Sequence, residues 1–231
     1  MAVDARVLAS LLGGAALLPS GEVALAQHER AQLQDPPCDA LTVEYTLSAN
    51  LQLTETPMGK GDGVYRIGPG VAVLRFEQRD GVPSGPAQLV SYGMVERFKI
   101  DARTAFWRTH VTTDSRTTVA SDSCGVVANA RLVGRRLEWT SDVRARTDGK
   151  LTCVGSLCGK FGAPPSGTSA LHVPPHDVRF NKWTFAPDMR SFTMESTWMA
   201  TSESPKQTAH VALTGREVRR GCATVPQCPS R

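Results

Sequence analysis

The chain has 231 residues, a formal net charge of +4 at pH 7 and 21% charged residues. Its basic residues do not cluster, because Arg136, Arg144 and Arg146 share one strand phase with Glu138 and Asp142. We therefore expect no nucleic-acid partner, since such binders carry their basic residues on one face. After the first thirty residues every apolar run is much shorter than the roughly twenty residues that span a bilayer, so we also expect no transmembrane helix.

The N-terminus has the pattern of a secretory signal. Arg6 precedes the apolar run Val7–Leu18, and Ala24-Leu25-Ala26 supplies small residues at a cleavage site. The alternative is a cytosolic helix, because Asp4 and Glu22 dilute the pattern. We expect three segments: a signal peptide over 1–26, a disordered segment over 27–37 and a single all-β domain over 38–231. A secreted or periplasmic protein follows from this interpretation.

The first strand signal is an unbroken alternation over Leu41–Thr54. Successive side chains of a strand point to opposite faces, so this pattern predicts one buried and one solvated face. The predicted buried residues are Leu41, Val43, Tyr45, Leu47, Ala49, Leu51 and Leu53. A strand of this length far exceeds the usual five or six residues, which is typical of a barrel or a large curved sheet.

The next alternations lie on either side of glycine-rich stretches. Val64–Ile67 and Val71–Glu77 are predicted strands on either side of Gly68-Pro69-Gly70, and the glycine-rich stretch over 59–63 is the predicted turn before them. The segment from Val90 to Ile100 is another predicted strand, and Glu96 interrupts its apolar phase. A β-bulge at Glu96 is the favoured explanation, and a functional carboxylate is the alternative.

The C-terminal half continues the pattern. Arg136–Ala145 is predicted to be one strand closed by a turn at Asp148-Gly149, and Phe192–Thr201 is a further strand. Weaker signals predict strands over 105–113, 126–133, 178–185 and 209–213. About ten strands joined by short turns indicate an all-β antiparallel meander, closed as a barrel or curved half-barrel, with a β-sandwich as the alternative.

Six cysteines follow the predicted signal: Cys38, Cys124, Cys153, Cys158, Cys222 and Cys228. An even number in an exported chain indicates structural disulfides. Cys153–Cys158 is the favoured pair, followed by Cys222–Cys228 and Cys38–Cys124, and an exchange of Cys38 to Cys222 or Cys228 stays open. Zinc ligation is an alternative that the short spacings permit and that an oxidising compartment disfavours.

Two sets of residues are candidate sites. Trp107, Trp139 and Trp198 fall on the apolar phases of their strands, where they form either core or the lining of an apolar ligand pocket. His172, His176 and Asp177 lie close together on a segment with two prolines, interpreted as an exposed loop, and are candidate metal ligands or a general base with its orienting carboxylate.

These candidates leave two main hypotheses. The first is an exported, non-enzymatic barrel that binds an apolar small molecule, a lipid or a partner protein, without a cofactor. The second is a secreted hydrolase that works through the two histidines and Asp177. A structural or adhesive envelope protein is a third possibility. The absence of Gly-x-Ser-x-Gly and His-Glu-x-x-His from the sequence favours the first hypothesis.

Overall fold

A computed structural model describes residues 38, 40–53, 64–79, 82–103, 108–160, 165–200 and 207–223. Within these ranges the regular structure consists of eleven β-strands, and no helix there is long and apolar enough to cross a membrane. The strands are β1 Ala40–Leu53, β2 Val64–Arg79, β3 Val82–Arg103, β4 Arg108–Val119, β5 Ala128–Val133, β6 Arg136–Trp139, β7 Val143–Gly155, β8 Gly167–Val178, β9 Trp183–Phe185, β10 Ser191–Ala200 and β11 Gln207–Cys222.

Eight of these strands close into a barrel, and three extend from it. The order around the barrel is β1-β2-β3-β5-β6-β9-β10-β11, and β11 pairs with β1 to complete the ring. All the pairings are antiparallel, so the predicted all-β barrel is confirmed.

The long strand β3 is the branch point of the sheet. Its residues 85–89 pair with β5 inside the barrel, whereas its residues 93–103 pair with β4. Strands β4, β7 and β8 then continue outward from this second half of β3, and we call these three strands the wing. The barrel wall and the wing therefore share β3. Its first half belongs to the barrel, and its second half belongs to the wing.

The side chains of β1 alternate between the core and solvent as predicted. Its inward side chains from Leu41 to Leu51 are each at most 3% exposed, while Ser48 and Asn50 face solvent. The side chain of Leu53 and all of Thr54 lie outside the described part of the chain. Burial of one large aliphatic side chain stabilises a fold by roughly 1.5–3 kcal/mol, so the alternation of β1 alone contributes substantially to the choice of register.

Aromatic rings fill much of the barrel interior. Trp183 stacks on Phe192 with ring centroids 4.3 Å apart, and Tyr45 meets Phe192 edge to face at 5.3 Å. The Tyr45 hydroxyl donates a hydrogen bond to the carbonyl oxygen of Met189 at 2.8 Å. Gly215 lies against the Phe192 ring, and a Cβ atom there would overlap it. The ring therefore requires glycine on the neighbouring strand.

The turn predicted at Asp148-Gly149 lies inside a strand. Gly149 is part of β7 and pairs with Ser115 on β4. A Cβ atom on Gly149 would overlap the Ser115 backbone, so glycine here permits close approach of two strands rather than a reversal of the chain, and this turn prediction is wrong. Gly68-Pro69-Gly70 joins the two strands predicted around it into the single strand β2, at the point where the β1–β2 register shifts. The turn predicted over 59–63 lies outside the described residues.

The predicted strand Arg136–Ala145 is two strands. β6 ends at Trp139 because it belongs to the barrel and pairs with β5 and β9, whereas β7 begins at Val143 and pairs with β4 in the wing. The inward phase survives the break, since Trp139 and Val143 are both buried. The strand predicted over Phe192–Thr201 is confirmed as β10 up to Ala200.

One disulfide links the start of β1 to the end of β11, and another closes a loop at the end of β7. Cys153–Cys158 is confirmed, with a Cα–Cα distance of 5.9 Å. Cys38 pairs with Cys222 at a Cα–Cα distance of 5.8 Å, which corrects the predicted Cys38–Cys124 and Cys222–Cys228 pairs. The reason is topological: β1 and β11 are antiparallel neighbours, so the start of one strand meets the end of the other. Cys124 is also disulfide-bonded, and Cys228 lies outside the described residues.

Candidate binding site around Glu96

Of the three candidate tryptophans, only Trp139 has a described side chain, and it belongs to the core. It packs on Phe180 and Trp183 with centroid distances of 5.2 and 4.9 Å, and its indole N–H donates to the Asn181 carbonyl at 2.8 Å. This satisfied, buried ring needs no ligand to explain it. Trp107 and the side chain of Trp198 lie outside the described residues, so their role in a pocket stays a prediction.

His172, His176 and Asp177 lie on the edge strand β8, not on a loop. His172 Nδ1 is 2.6 Å from the Asp148 carboxylate, whereas Asp177 faces Arg144 at 3.8 Å. His176 Nδ1 donates instead to the carbonyl oxygen of Pro174 at 3.1 Å.

The structure therefore does not bring the three predicted ligands together. The two prolines, which cannot donate to the ladder, fall at the register shift between β7 and β8, and each polar side chain on either side of it finds its own neighbour. Across the described ranges no group of three or more His, Cys, Asp or Glu side chains could hold a metal ion. Among these residues the histidine segment thus forms no three-ligand metal site, and its role in a hydrolase stays a prediction.

The apolar phase of β3 contains a buried carboxyl. Pairing between β3 and β4 is regular from Gly93 to Arg103, with no register shift at Glu96, so the predicted bulge there is wrong. Tyr92, Met94 and Glu96 consequently point to the same inward side and are 4%, 1% and 5% exposed. The alternative explanation for Glu96, a functional carboxylate, stays a prediction.

Two neutral hydroxyls of β4 lie against this carboxyl, and a hydroxyl of β7 contacts one of them. Thr117 Oγ1 donates to Glu96 Oε1 at 2.8 Å, and Ser115 Oγ lies 3.5 Å from Oε2. Thr147 Oγ1 on β7 is 2.6 Å from Thr117 Oγ1. The register explains this grouping, because Glu96 is opposite Ser115 and Thr117 is opposite Thr147. The described contacts of Glu96 thus supply hydrogen bonds but no positive charge.

Burial has the largest effect on the pKa values of Glu96 and Tyr92. Removal from water raises the pKa of Glu96 from 4.5 to about 7, and the hydrogen bonds from Thr117 and Ser115 offset only part of this rise. The pKa of the Tyr92 hydroxyl is also raised, first by burial and then by the nearby negative charge of Glu96. At neutral pH the carboxyl is therefore divided between its two protonation states, while Tyr92 is neutral.

Two buried hydroxyls near Glu96 have no hydrogen-bond partner within the described ranges: Tyr92 Oη and Thr113 Oγ1. Thr113 is the inward neighbour of Ser115 along β4, and Tyr92 precedes Glu96 by two inward positions on β3. Buried polar atoms of native proteins are nearly always paired, so two such hydroxyls beside a buried carboxyl point to a missing partner.

The register brings these residues together where the second half of β3 meets the wing. Glu96 on β3, three residues of β4 and Thr147 on β7 are all buried there. We call this group the polar end, formed by Glu96, Thr113, Ser115, Thr117 and Thr147.

The inward hydroxyls of β4 were missed in the sequence, although a signal for them exists. Positions 109, 111, 113, 115 and 117 read Thr, Val, Thr, Ser and Thr, and each is buried. The intervening positions from 108 to 116 are charged or polar. A strand whose inward and outward residues are both polar shows no alternation in hydropathy. Threonine counts as hydrophilic even where its methyl group and hydroxyl are buried.

No known protein family, no curated protein and no solved structure matches this chain.

Proposed function

We propose that this protein is an exported, non-enzymatic β-barrel that binds a small amphipathic molecule at the polar end. In this proposal Tyr92 and Met94 contact the apolar part of the ligand, and Glu96 receives its polar group. The observation that carries the proposal is the burial of the Glu96 carboxyl, whose contacts in the described part of the chain are hydroxyls, beside two further buried hydroxyls that are unpartnered there.

The cost of this arrangement argues for a binding role. A carboxyl taken out of water without a paired charge is strongly destabilising unless it stays protonated. An apolar residue at position 96 would continue the buried phase of Tyr92 and Met94 without that cost. Strongly shifted carboxyls in protein interiors cluster at functional sites, and here the shift has a stated physical cause.

Export is supported by the cysteines as well as by the N-terminal signal pattern. Cys38–Cys222 and Cys153–Cys158 are disulfides, and such bonds persist mainly in oxidising compartments. A secreted or periplasmic location agrees with both features.

The non-enzymatic part of the proposal follows from the histidine segment. His172 and Asp148 form an exposed pair on the outer face of the wing, and Asp177 is engaged by Arg144. A hydrolase through His172, His176 and Asp177 would need these side chains to converge, so we do not carry that alternative further. A purely structural or adhesive envelope protein remains as one outcome of the test below.

The test is native mass spectrometry of the mature protein purified from its own cell envelope, followed by titration of the released ligand. Glu96→Gln keeps the shape of the side chain and removes its charge. Glu195→Gln is the matched control, because Glu195 is an exposed residue on β10. We expect wild type and the control to hold the ligand equally, and Glu96→Gln to bind about tenfold more weakly or worse, as a charged hydrogen bond is worth about 1.5–3 kcal/mol.

Two outcomes would contradict the proposal. Protein that carries no ligand, and that takes up none from an envelope extract, would indicate a structural role. A ligand that binds Glu96→Gln as tightly as wild type would show that binding occurs away from the polar end.

A further inference from the structure

We propose that the polar group received by Glu96 is a single positive charge, a protonated amine on a small apolar molecule. This inference rests on the proposed function and names the class of ligand that the polar end recognises. It stands on the charge balance, the hydrogen-bonding capacity and the aromatic neighbours of the site.

The charge balance selects a monocation. Glu96 faces Tyr92 on its own strand, Ser115 and Thr117 on β4, and Thr147 through Thr117 on β7, all of them uncharged. One carboxylate neutralises one positive charge, whereas a divalent metal would leave a buried excess charge. Calcium sites also gather six to eight oxygen ligands, usually with several carboxylates, and the described residues offer one carboxylate here.

The hydrogen-bonding capacity of the site matches an ammonium group. Thr117 has one hydroxyl proton and donates it to Glu96, so its contact with Thr147 makes Thr147 the donor. An ammonium group brings three N–H donors and no acceptor. The carboxylate and the unpartnered hydroxyl oxygens of Tyr92 and Thr113 are acceptors of the kind that these donors require.

Aromatic neighbours favour an organic cation over a hydrated metal ion. The Tyr92 ring packs on Phe180 with centroids 5.1 Å apart, and Phe180 packs in turn on Trp139. The faces of such rings attract ammonium groups and bury the alkyl chain that carries them. In this proposal the ammonium head of the ligand binds at Glu96 and its apolar tail packs against Tyr92.

Binding of the amine at Glu96 would release protons from the carboxyl, so its affinity would depend on pH. Because burial holds the pKa of Glu96 at about 7, the carboxyl is about half protonated at pH 7, and an amine must displace about half a proton per site. Among the described residues, Tyr92 is the other titratable group that faces Glu96, and it is neutral over this range. Affinity for the amine should therefore fall as the pH drops below 7.

Isothermal titration with hexylammonium and 1-hexanol tests the inference, since the two probes share a tail and differ in the head group. At pH 8 we expect hexylammonium to bind wild type about tenfold more tightly than 1-hexanol, or better. The preference should disappear in Glu96→Gln, persist in Glu195→Gln and shrink at pH 6. Glu96→Gln is close to isosteric, and thermal unfolding of each variant shows whether it is folded.

The failures of the two proposals are distinguishable. If 1-hexanol binds as tightly as hexylammonium, the cation inference is refuted and the binding function stands. If hexylammonium binds with the same preference in Glu96→Gln, the cation site lies elsewhere and the inference is also refuted. If neither probe binds, the inference fails, and absence of a ligand from the envelope-purified protein would refute the binding function with it.

Discussion

Glu96 should make the folded protein less stable as the pH rises from about 4.5 to 7. Its pKa is 4.5 in the unfolded chain and about 7 in the fold, because burial disfavours the ionised form. Between these values the unfolded chain loses the proton and the folded protein keeps it, so raising the pH favours unfolding. Below 4.5 and above 7 the contribution of Glu96 is constant.

The size of the effect follows from the shift. A difference of one pKa unit corresponds to about 1.36 kcal/mol, so the shift of Glu96 corresponds to about 3 kcal/mol of stability lost between pH 4.5 and pH 7. Glutamine does not titrate, so Glu96→Gln removes this pH dependence. Relative to wild type, the variant should therefore gain up to about 3 kcal/mol in unfolding free energy as the pH rises from 4.5 to 8.

Urea unfolding followed by tryptophan fluorescence, with disulfides intact, measures this difference at both pH values. Asp101 and Asp148 have lowered pKa values through their hydrogen bonds to His110 and Arg146, and they destabilise the fold at low pH in both proteins. Their contribution cancels in the comparison. Parallel pH profiles for wild type and Glu96→Gln would refute the assignment of a buried, protonated carboxyl at this position.

Three further predictions concern core packing, the disulfides and the histidine segment. Gly215→Ala places a methyl group into the aromatic ring beside it and should lower the unfolding free energy by about 1–3 kcal/mol in urea titrations, whereas Gly221→Ala, which has open space around it, should change it little. Peptide mapping under non-reducing conditions should recover Cys38–Cys222, and recovery of Cys38 linked to another cysteine would contradict the β1–β11 seam. The double variant His172→Ala/His176→Ala should bind the ligand as wild type does, and loss of binding or of a bound metal would reopen the histidine site.

The barrel was predictable from sequence where the decisive signal is local. The alternation of β1 needs only the pleat of a strand, and its buried residues from Leu41 to Leu51 lie where the pattern puts them. Gly149 was misinterpreted as part of a turn, because a glycine that permits close strand approach looks the same in sequence as one that reverses the chain. The difference depends on the neighbouring strand, which local patterns do not identify.

The site was harder to predict for the same reason. Glu96 could be recognised as an interruption of an apolar phase, but only the regular pairing with β4 distinguishes an inward carboxyl from a bulge. Thr117 and Thr147 are ordinary strand residues in sequence, and they gain their role because β3, β4 and β7 lie side by side. The histidine segment was conspicuous in sequence, yet His172 and Asp177 take separate partners on β7, and His176 bonds to the backbone of its own strand.

The most direct test of the central claim is an NMR titration of the Glu96 side-chain carboxyl carbon, assigned by comparison with Glu96→Gln. Our account predicts a midpoint of about pH 7 in the free protein, since burial raises the pKa of Glu96, and a clear fall of that midpoint when hexylammonium is added. A midpoint near 4.5 that the amine does not change would contradict both the buried carboxyl and its role in binding.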